Sequence, residues 1–263
     1  MLKLCTLASG SNGNCTYITD GESHILIDAG ISARTISREL NTLDIDIDML
    51  DAVFITHEHI DHISGLRTLM KYNRRAKLFS TGVTAQDITN RIPELFDRFS
   101  ILESGTNNIG DIGISFFHTP HDTPESVGYR INAGGKVIVT VTDLGHVTES
   151  VMKAVSGADV LLVEANYDDE KLRLSRYPEF LKRRISGKRG HLSNTDCASC
   201  VCSAVGFGTS HVLLGHLSAE NNTPEIAYTT VHTRLCDNGI IPGVDVMLGI
   251  APRGRRGNVL VLD

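Results

Sequence analysis

Apolar positions recur along this chain in short blocks rather than long periodic stretches. Residues 2–8, 15–19 and 24–28 read as strands, the first two joined by the Gly/Asn-rich turn Ser9-Gly10-Ser11-Asn12-Gly13-Asn14. A helix is expected over 32–41, followed by a strand over 52–56. Helices near 62–72 and 83–91 alternate with a strand at 77–80, and three strands joined by short turns follow at 112–118, 126–132 and 136–142. The pattern then predicts a helix at 148–155, a strand at 159–164 and a basic segment helical around 178–185. It ends with helix 194–205, strand 211–214, helix 223–238 and strands near 245–249 and 259–262. Strand runs interleaved with helices predict mixed sheets covered by helices, an α+β protein. No low-complexity tract, charged tail or linker interrupts residues 1–263, so one domain is expected.

Composition narrows the class. The chain has 263 residues, 41% of them hydrophobic and 21% charged, which is ordinary for a globular protein. Its longest apolar runs, 137–141 and 160–163, are strand-sized and too short to cross a bilayer. The start reaches Ser9-Gly10-Ser11 before a signal peptide's apolar core could form, so a cytoplasmic protein with no membrane partner is expected. The six cysteines show no disulfide-framework spacing. Cys197, Cys200 and Cys202 fall in a predicted helix without a second Cys pair and read as small buried residues rather than zinc ligands.

The net charge of −6 argues against a generally basic nucleic-acid binder. Its distribution reverses that impression locally. Lys171, Arg173, Arg176, Lys182, Arg183, Arg184, Lys188 and Arg189 crowd one short segment whose only acid after residue 170 is Glu179. Such a patch can hold a polyanion, with Tyr177 available to stack on a base. A solvated helix face is the plain alternative.

The chemistry concentrates at His57-Glu58-His59-Ile60-Asp61-His62, directly after the apolar strand 52–56. Four potential metal ligands, His57, His59, Asp61 and His62, just past a buried strand are costly to bury unless they bind something. Imidazoles and a carboxylate suit zinc or manganese, with iron as a further option. In a short loop His57 and His59 can face one ion while Asp61 and His62 face a neighbour. Three other strands also end near ligand-type residues: 112–118 before His121, 136–142 before Asp143, and 211–214 before His216. Separate strand ends converging on one point are how a fold builds a rigid metal site. His118 competes with His121, but lies within the strand rather than beyond it.

These residues, with Asp28 after the third strand, fall in the order of the motifs of the metallo-β-lactamase superfamily, and the resemblance spans essentially the whole chain. Within it the chain resembles the small bacterial hydrolases of the YycJ (WalJ) type. The strings that carry this likeness include Leu7-Ala8-Ser9-Gly10-Ser11-Asn12-Gly13-Asn14, Thr142-Asp143-Leu144-Gly145, Glu164-Ala165-Asn166-Tyr167-Asp168 and Gly190-His191-Leu192-Ser193-Asn194. Gly190-His191-Leu192-Ser193 followed by His216-Leu217-Ser218 is also similar to the tRNA 3′-processing endoribonucleases, although the long tRNA-gripping insertion is absent.

The resemblance implies a four-layer αββα sandwich of two mixed sheets. It implies two divalent ions, one held by His57, His59 and His121, the other by Asp61, His62 and His216, with Asp143 between them. A hydroxide bridging the ions would attack phosphorus, since bound metals depress the pKa of water. It further implies a 5′ to 3′ DNA exonuclease, with DNA preferred over RNA as the partner. Asp61, Asp143 and His191 are the expected catalytic residues, His191 as general acid or phosphate contact. Asp28 is expected to support a ligand imidazole or a loop amide. Substrate contacts are expected from the turn residues Ser11 and Asn12, from Arg176, Arg183 and Arg184, and from His191. Two competing readings keep the metals: a hydrolase of a thioester, lactone or β-lactam, and a non-hydrolytic di-iron sensor. The absence of tryptophan and the 5% aromatic content disfavour an apolar carbonyl pocket.

Overall fold

Leu4 and Cys5 are adjacent in the chain yet belong to different hydrophobic layers. Successive strand side chains point to opposite faces, so a strand buried on both sides feeds two cores. The same split recurs at Ile25 and Leu26, Val53 and Phe54, Ile138 and Val139, and Val160 and Leu161.

The computed structural model describes residues 1–263. Its strands are, in order, β1 (Leu2–Ala8), β2 (Cys15–Thr19), β3 (His24–Ile27), β4 (Ala52–Phe54), β5 (Lys77–Ser80), β6 (Phe99–Ile101) and β7 (Asn107–Ile109). They continue with β8 (Ile112–His118), β9 (Val127–Ala133), β10 (Lys136–Val141), β11 (Val160–Glu164), β12 (His211–Gly215), β13 (Met247–Ile250) and β14 (Leu260–Leu262). The helices are α1 (Ala33–Asn41), α2 (Ile60–Ile63), α3 (Leu66–Tyr72), α4 (Gly82–Arg91), α5 (Glu149–Val155), α6 (Asp169–Leu174), α7 (Glu179–Ile185), α8 (Asn194–Gly206) and α9 (Pro224–Asp237).

Two seven-stranded sheets result, ordered β14-β1-β2-β3-β4-β5-β6 and β13-β12-β11-β10-β9-β8-β7. Each is antiparallel in one half and parallel in the other: β3, β4, β5 and β6 run parallel in the first, and β10, β11, β12 and β13 in the second. A core of 18 buried residues lies between the sheets, including Leu4, Ile25, Phe54, Tyr129 and Ile138. A second core packs α1, α3 and α4 on the first sheet, and a third packs α5, α8 and α9 on the other. This is the expected four-layer αββα arrangement. Each fully buried Leu, Ile or Val contributes roughly 1.5–3 kcal/mol. Ser32, Thr81, Thr148, Ser193 and Thr223 cap their helices by accepting a backbone N–H, worth about 1 kcal/mol apiece.

The differences from the expected elements have local causes. The helix expected over 62–72 is two, α2 and α3, broken at Ser64-Gly65. Gly65 backs onto the carbonyl of Ile31, and a Cβ there would lie 2.0 Å from that oxygen. Strands β6 and β7 have only three residues each, too short for a pattern to betray them. The strand expected near 245–249 shifts to Met247–Ile250, where its register is set by parallel pairing of Met247 with His211.

Candidate metal centre and adjoining pocket

The parallel halves of the two sheets aim the carboxyl ends of their strands at one place. Asp28 follows β3, His57 follows β4, Asp143 follows β10, Glu164 ends β11 and His216 follows β12. Crevices at strand carboxyl ends are the usual ligand sites of parallel sheets. Three of these residues have left-handed backbone: Asp28 (φ 62°), Asp143 (φ 59°) and His216 (φ 52°). That conformation costs of order 1–3 kcal/mol for a residue with a Cβ, so surrounding contacts must hold it. They do. The N–H of His216 donates to Ser9 Oγ at 2.9 Å, and Asn166 Nδ2 donates to the His216 carbonyl at 2.9 Å.

The 57–62 loop is pinned from below. Asn14 N–H donates to the Asp61 carbonyl at 2.8 Å, and Ala29 N–H to that of His62 at 2.9 Å. Gly30 threads between them: a Cβ there would fall 1.7 Å from the Asp61 carbonyl oxygen. Glu58, buried between the two histidines, accepts from the Thr123 hydroxyl and so ties this loop to the one carrying His121. Arg189 clamps the second loop by donating to the His121 carbonyl at 2.7 Å and the Thr123 carbonyl at 2.6 Å.

Seven ligand-type side chains converge above this base. Atoms of His57, His59 and His121 lie within 4.8 Å of one another, as do those of Asp61, His62 and His216, and those of His57, His62 and Asp143. His121 Nε2 is 3.3 Å from His59 Nδ1 and 3.7 Å from Asp143 Oδ1. On the other side Asp143 Oδ2 is 3.1 Å from both His62 Nε2 and His216 Nδ1, and Asp61 Oδ2 is 3.5 Å from His62 Nε2 and from His216 Nε2. Asp143 therefore spans two adjoining triads.

Remote partners orient the rings. Asp28 Oδ2 accepts from His62 Nδ1 at 2.7 Å, and Asp28 Oδ1 accepts the Thr56 N–H at 2.9 Å, which leaves His62 Nε2 facing the centre. The Gly190 carbonyl accepts from His121 Nδ1 at 3.0 Å, turning its Nε2 inward likewise. Such partners fix the tautomer of a metal-binding imidazole.

Several buried polar atoms at the centre have no hydrogen-bond partner: His57 Nε2, Asp143 Oδ2, and both ring nitrogens of His216. Some are close to an acceptor or donor but not aligned with it. Buried polar groups are normally satisfied, and a cluster of unsatisfied lone pairs facing one point fits a bound cation. The donor set of imidazoles and carboxylates suits a divalent transition metal.

Charge is balanced in detail. Burial, and then the neighbouring His62, push the His57 imidazole well below its ordinary pKa, and burial lowers that of His59. Both shifts favour the neutral ring, the form that can donate a lone pair. Burial alone would raise the carboxyls of Asp61 and Asp143, but His62 and His216 hold both well below the usual range. Burial works against charge on His62, yet Asp28, Asp143 and Asp61 raise it; for His216, Asp143 overcomes the same penalty.

His191 sits beside the centre, its Nδ1 2.8 Å from Glu164 Oε1 and 3.6 Å from Asp143 Oδ1. Glu164 is fully buried, and its Oε2 also accepts the N–H groups of Leu144 and Leu192 at 3.0 and 3.1 Å. Burial opposes a charged His191, and Glu164 outweighs it and raises the pKa. The sequence assigns Glu164 no role: it begins one of the strings that carry the family likeness and is a carboxylate ending an otherwise apolar strand.

His191 forms part of the lining of a cavity of about 410 Å³ that also includes Ser11, Asn12, Tyr177 and Arg184. Arg176 and Arg183 are not on its wall. Arg176 borders a neighbouring depression with Asp168 and Lys171. Arg183 points away, fully exposed, with Glu179 3.6 Å off. Helix phase explains this: Leu181, Arg184 and Ile185 share one face of α7, and Arg183 does not. Of the basic residues expected to contact substrate, Arg184 lines this cavity together with Ser11, Asn12 and His191, whereas Arg176 and Arg183 lie outside it. His118, at the end of β8, is exposed beside Glu125 rather than in the centre.

Comparison with known proteins agrees with this architecture. Residues 23–217 match the family described as the beta-lactamase superfamily domain. The chain is 38% identical over 250 residues to the exodeoxyribonuclease WalJ of Streptococcus pneumoniae, covering 92% of this chain and 91% of that protein. It is 32% identical over 245 residues to the exodeoxyribonuclease YycJ of Bacillus anthracis, covering 90% of each. The metallo-beta-lactamase fold protein YhfI of Bacillus subtilis superposes with a TM-score of 0.73 at 17% identity over 98% of both chains. No helix is long and apolar enough to cross a membrane. The chain belongs to the metallo-β-lactamase superfamily and is a metal-dependent hydrolase.

Proposed function

We propose that this protein is a two-metal phosphodiesterase that degrades DNA from its 5′ end. The observation that carries this reading is the pair of adjoining triads with Asp143 between them and unsatisfied buried lone pairs, next to a cavity lined by His191 and Arg184. His57, His59 and His121 would hold one ion and Asp61, His62 and His216 the other, with Asp143 contributing an oxygen to each. Zinc or manganese suits these donors best, and iron can occupy the same set. Two such ions, when bound, lower the pKa of water towards neutrality and offset the charge of a phosphate.

The chain's own residues supply the rest. Asp28 keeps His62 in the tautomer whose Nε2 faces the centre. Glu164 orients His191 through Nδ1 and favours its charged form, so that Nε2 can donate a proton to a leaving oxygen. Arg184 and the turn at Ser11 and Asn12 meet the phosphates of the substrate. DNA rather than RNA is supported by the two relatives at 38% and 32% identity, both named exodeoxyribonucleases. The whole of residues 1–263 acts as one catalytic domain in the cytoplasm, with no membrane partner.

The test is direct. Metal-loaded protein is incubated with end-labelled single- and double-stranded DNA and RNA, with a β-lactam as control, and product lengths are read over time. Mononucleotides released progressively from the 5′ end of DNA are expected. Lactam opening without strand cleavage would overturn the reading.

A further inference from the structure

We propose that the cavity beside His191 seats the 5′-terminal nucleotide of the substrate strand, with its 5′-phosphate on Arg184; the proposal rests on the phosphodiesterase reading above and makes it specific. The cavity has two unlike walls. Tyr177, Leu181 and Ile185, all half-buried, form an apolar face on and just before α7. Ser11, Asn12 and Ser218 face them with hydroxyl and amide groups from two loops. An apolar wall with an aromatic ring takes a base, and a polar wall takes sugar and phosphate. At about 410 Å³ the space suits one nucleotide and is too small for a duplex.

Arg184 sits where an anion would be held. Its Nε donates to Asp122 Oδ2, which fixes the guanidinium plane. Its two terminal amino groups make no hydrogen bond to the protein, and the residue lines the cavity. A guanidinium anchored through Nε presents the remaining fork to a phosphate in bidentate geometry. The two acids on the lining do not cancel it: Asp122 is the anchor, and Glu220 is exposed on the opposite loop.

His191 decides which nucleotide enters. Its Nδ1 is engaged by Glu164, so its Nε2 is the nitrogen free to serve the reaction, and the residue borders both the metal centre and the cavity. A proton from Nε2 goes to the leaving oxygen, so the leaving fragment occupies the cavity. Water attacks phosphorus, the P–O3′ bond breaks, and the 3′ oxygen takes the His191 proton. The proton lost by the attacking water restores His191, so one water is consumed. The leaving fragment is the nucleotide on the 5′ side of the scissile phosphate, released as a 5′-monophosphate with a free 3′-hydroxyl. The shortened strand begins again with a 5′-phosphate, the same group that Arg184 holds, so each turnover regenerates the preferred end.

Two measurements test this on the metal-loaded full chain. The first compares duplexes that differ only in a 5′-phosphate or a 5′-hydroxyl. The phosphorylated end is expected to be degraded about tenfold faster, and Arg184→Ala to bring the ratio close to one, with Arg184→Lys in between. The second measures equilibrium binding of deoxyadenosine 5′-monophosphate, with inorganic phosphate and deoxyadenosine as references. Tyr177→Ala is expected to weaken nucleotide binding about tenfold, while Tyr177→Phe keeps it. Metal content reports whether each variant is folded. Equal rates on the two ends, or nucleotide binding no tighter than that of inorganic phosphate, would overturn the proposal. If no strand is cleaved at all, the phosphodiesterase reading fails, and the binding measurement still decides whether the cavity takes a nucleotide.

Discussion

Asp28 and His62 are 34 residues apart and are joined by a 2.7 Å hydrogen bond that leaves the opposite nitrogen of the ring facing the metal centre. The bond joins the end of β3 to α2, and the Asp28 carboxylate also holds the Thr56 N–H in the loop after β4. Asp28→Asn keeps the shape but cannot accept as strongly from His62. Metal affinity is expected to fall about 10- to 100-fold, the usual cost of losing such an outer partner. Competition titration against a chelator measures it. Unchanged affinity would mean that the ring is held by packing alone.

Asp143 has a different position, between the two triads. Its Oδ1 is 3.7 Å from His121 Nε2 and its Oδ2 is 3.1 Å from His62 Nε2. Asp143→Ala removes a negative charge that the two proposed cations would need and is expected to abolish hydrolysis and reduce bound metal. Metal analysis of the purified variant, with a rate assay on DNA, checks both. Normal metal content with full activity would rule out the shared-carboxylate role.

The convergence of the expected metal-ligating residues is legible because they follow apolar strands, and strand ends must converge if the strands lie side by side in parallel. Other parts were not legible. Glu164 ends the buried strand β11 and looks in the sequence like any polar residue closing a strand; only the fold brings His191 to it across 27 residues. The basic stretch showed its charge but not its phase. Whether Arg183 or Arg184 faces the cavity depends on where α7 begins, and helix boundaries are the weakest part of any reading from pattern. Ser64-Gly65 interrupts an apolar periodicity that continues through it: the Gly65 N–H donates to the Ala29 carbonyl, and the Asp61 carbonyl four residues before it is taken by the Asn14 N–H.

Arg189 separates structural from substrate-binding charge. It lies in the basic stretch, yet its guanidinium is spent on the carbonyls of His121 and Thr123. Arg189→Ala is expected to loosen the loop that carries His121 and lower the affinity of one metal ion. The salt dependence of DNA binding should stay the same, since no phosphate contact is lost. Metal titration and DNA binding at several salt concentrations distinguish the two. A flatter salt slope with intact metal binding would return Arg189 to the substrate surface.

Removing the metals should expose how much of the fold depends on them. Without a cation the unsatisfied atoms of His57, Asp143 and His216 remain buried together. An ion present at 100 times its dissociation constant stabilises the folded chain by about 2.7 kcal/mol. For a chain of this size each kcal/mol corresponds to about 2–4 °C in Tm, so chelation is expected to lower Tm by roughly 5–10 °C per ion. Re-adding zinc or manganese should restore it. Because burial fails to keep His62 and His216 neutral against their carboxylates in the metal-free protein, metal uptake should also release protons and weaken as pH falls. Calorimetry in buffers of different ionisation enthalpy reads that release.

His191 and Glu164 should act as a unit. His191→Ala removes the proton donor and is expected to slow turnover by about 10²–10⁴-fold with both metals retained. Glu164→Gln keeps a hydrogen-bond acceptor for His191 but withdraws the charge that raises its pKa. Activity in that variant should fall less, and the alkaline limb of its pH–rate profile should move to lower pH, because His191 then loses its proton sooner. Glu164 also lies 3.2 Å from His216 Nδ1, so metal content must be measured alongside. In the double variant the two losses should be far less than multiplicative, since Glu164 has nothing left to orient once the imidazole is gone. Fully multiplicative losses, or an unmoved pH profile in Glu164→Gln, would mean that Glu164 serves the fold around Leu144 and Leu192 rather than the reaction.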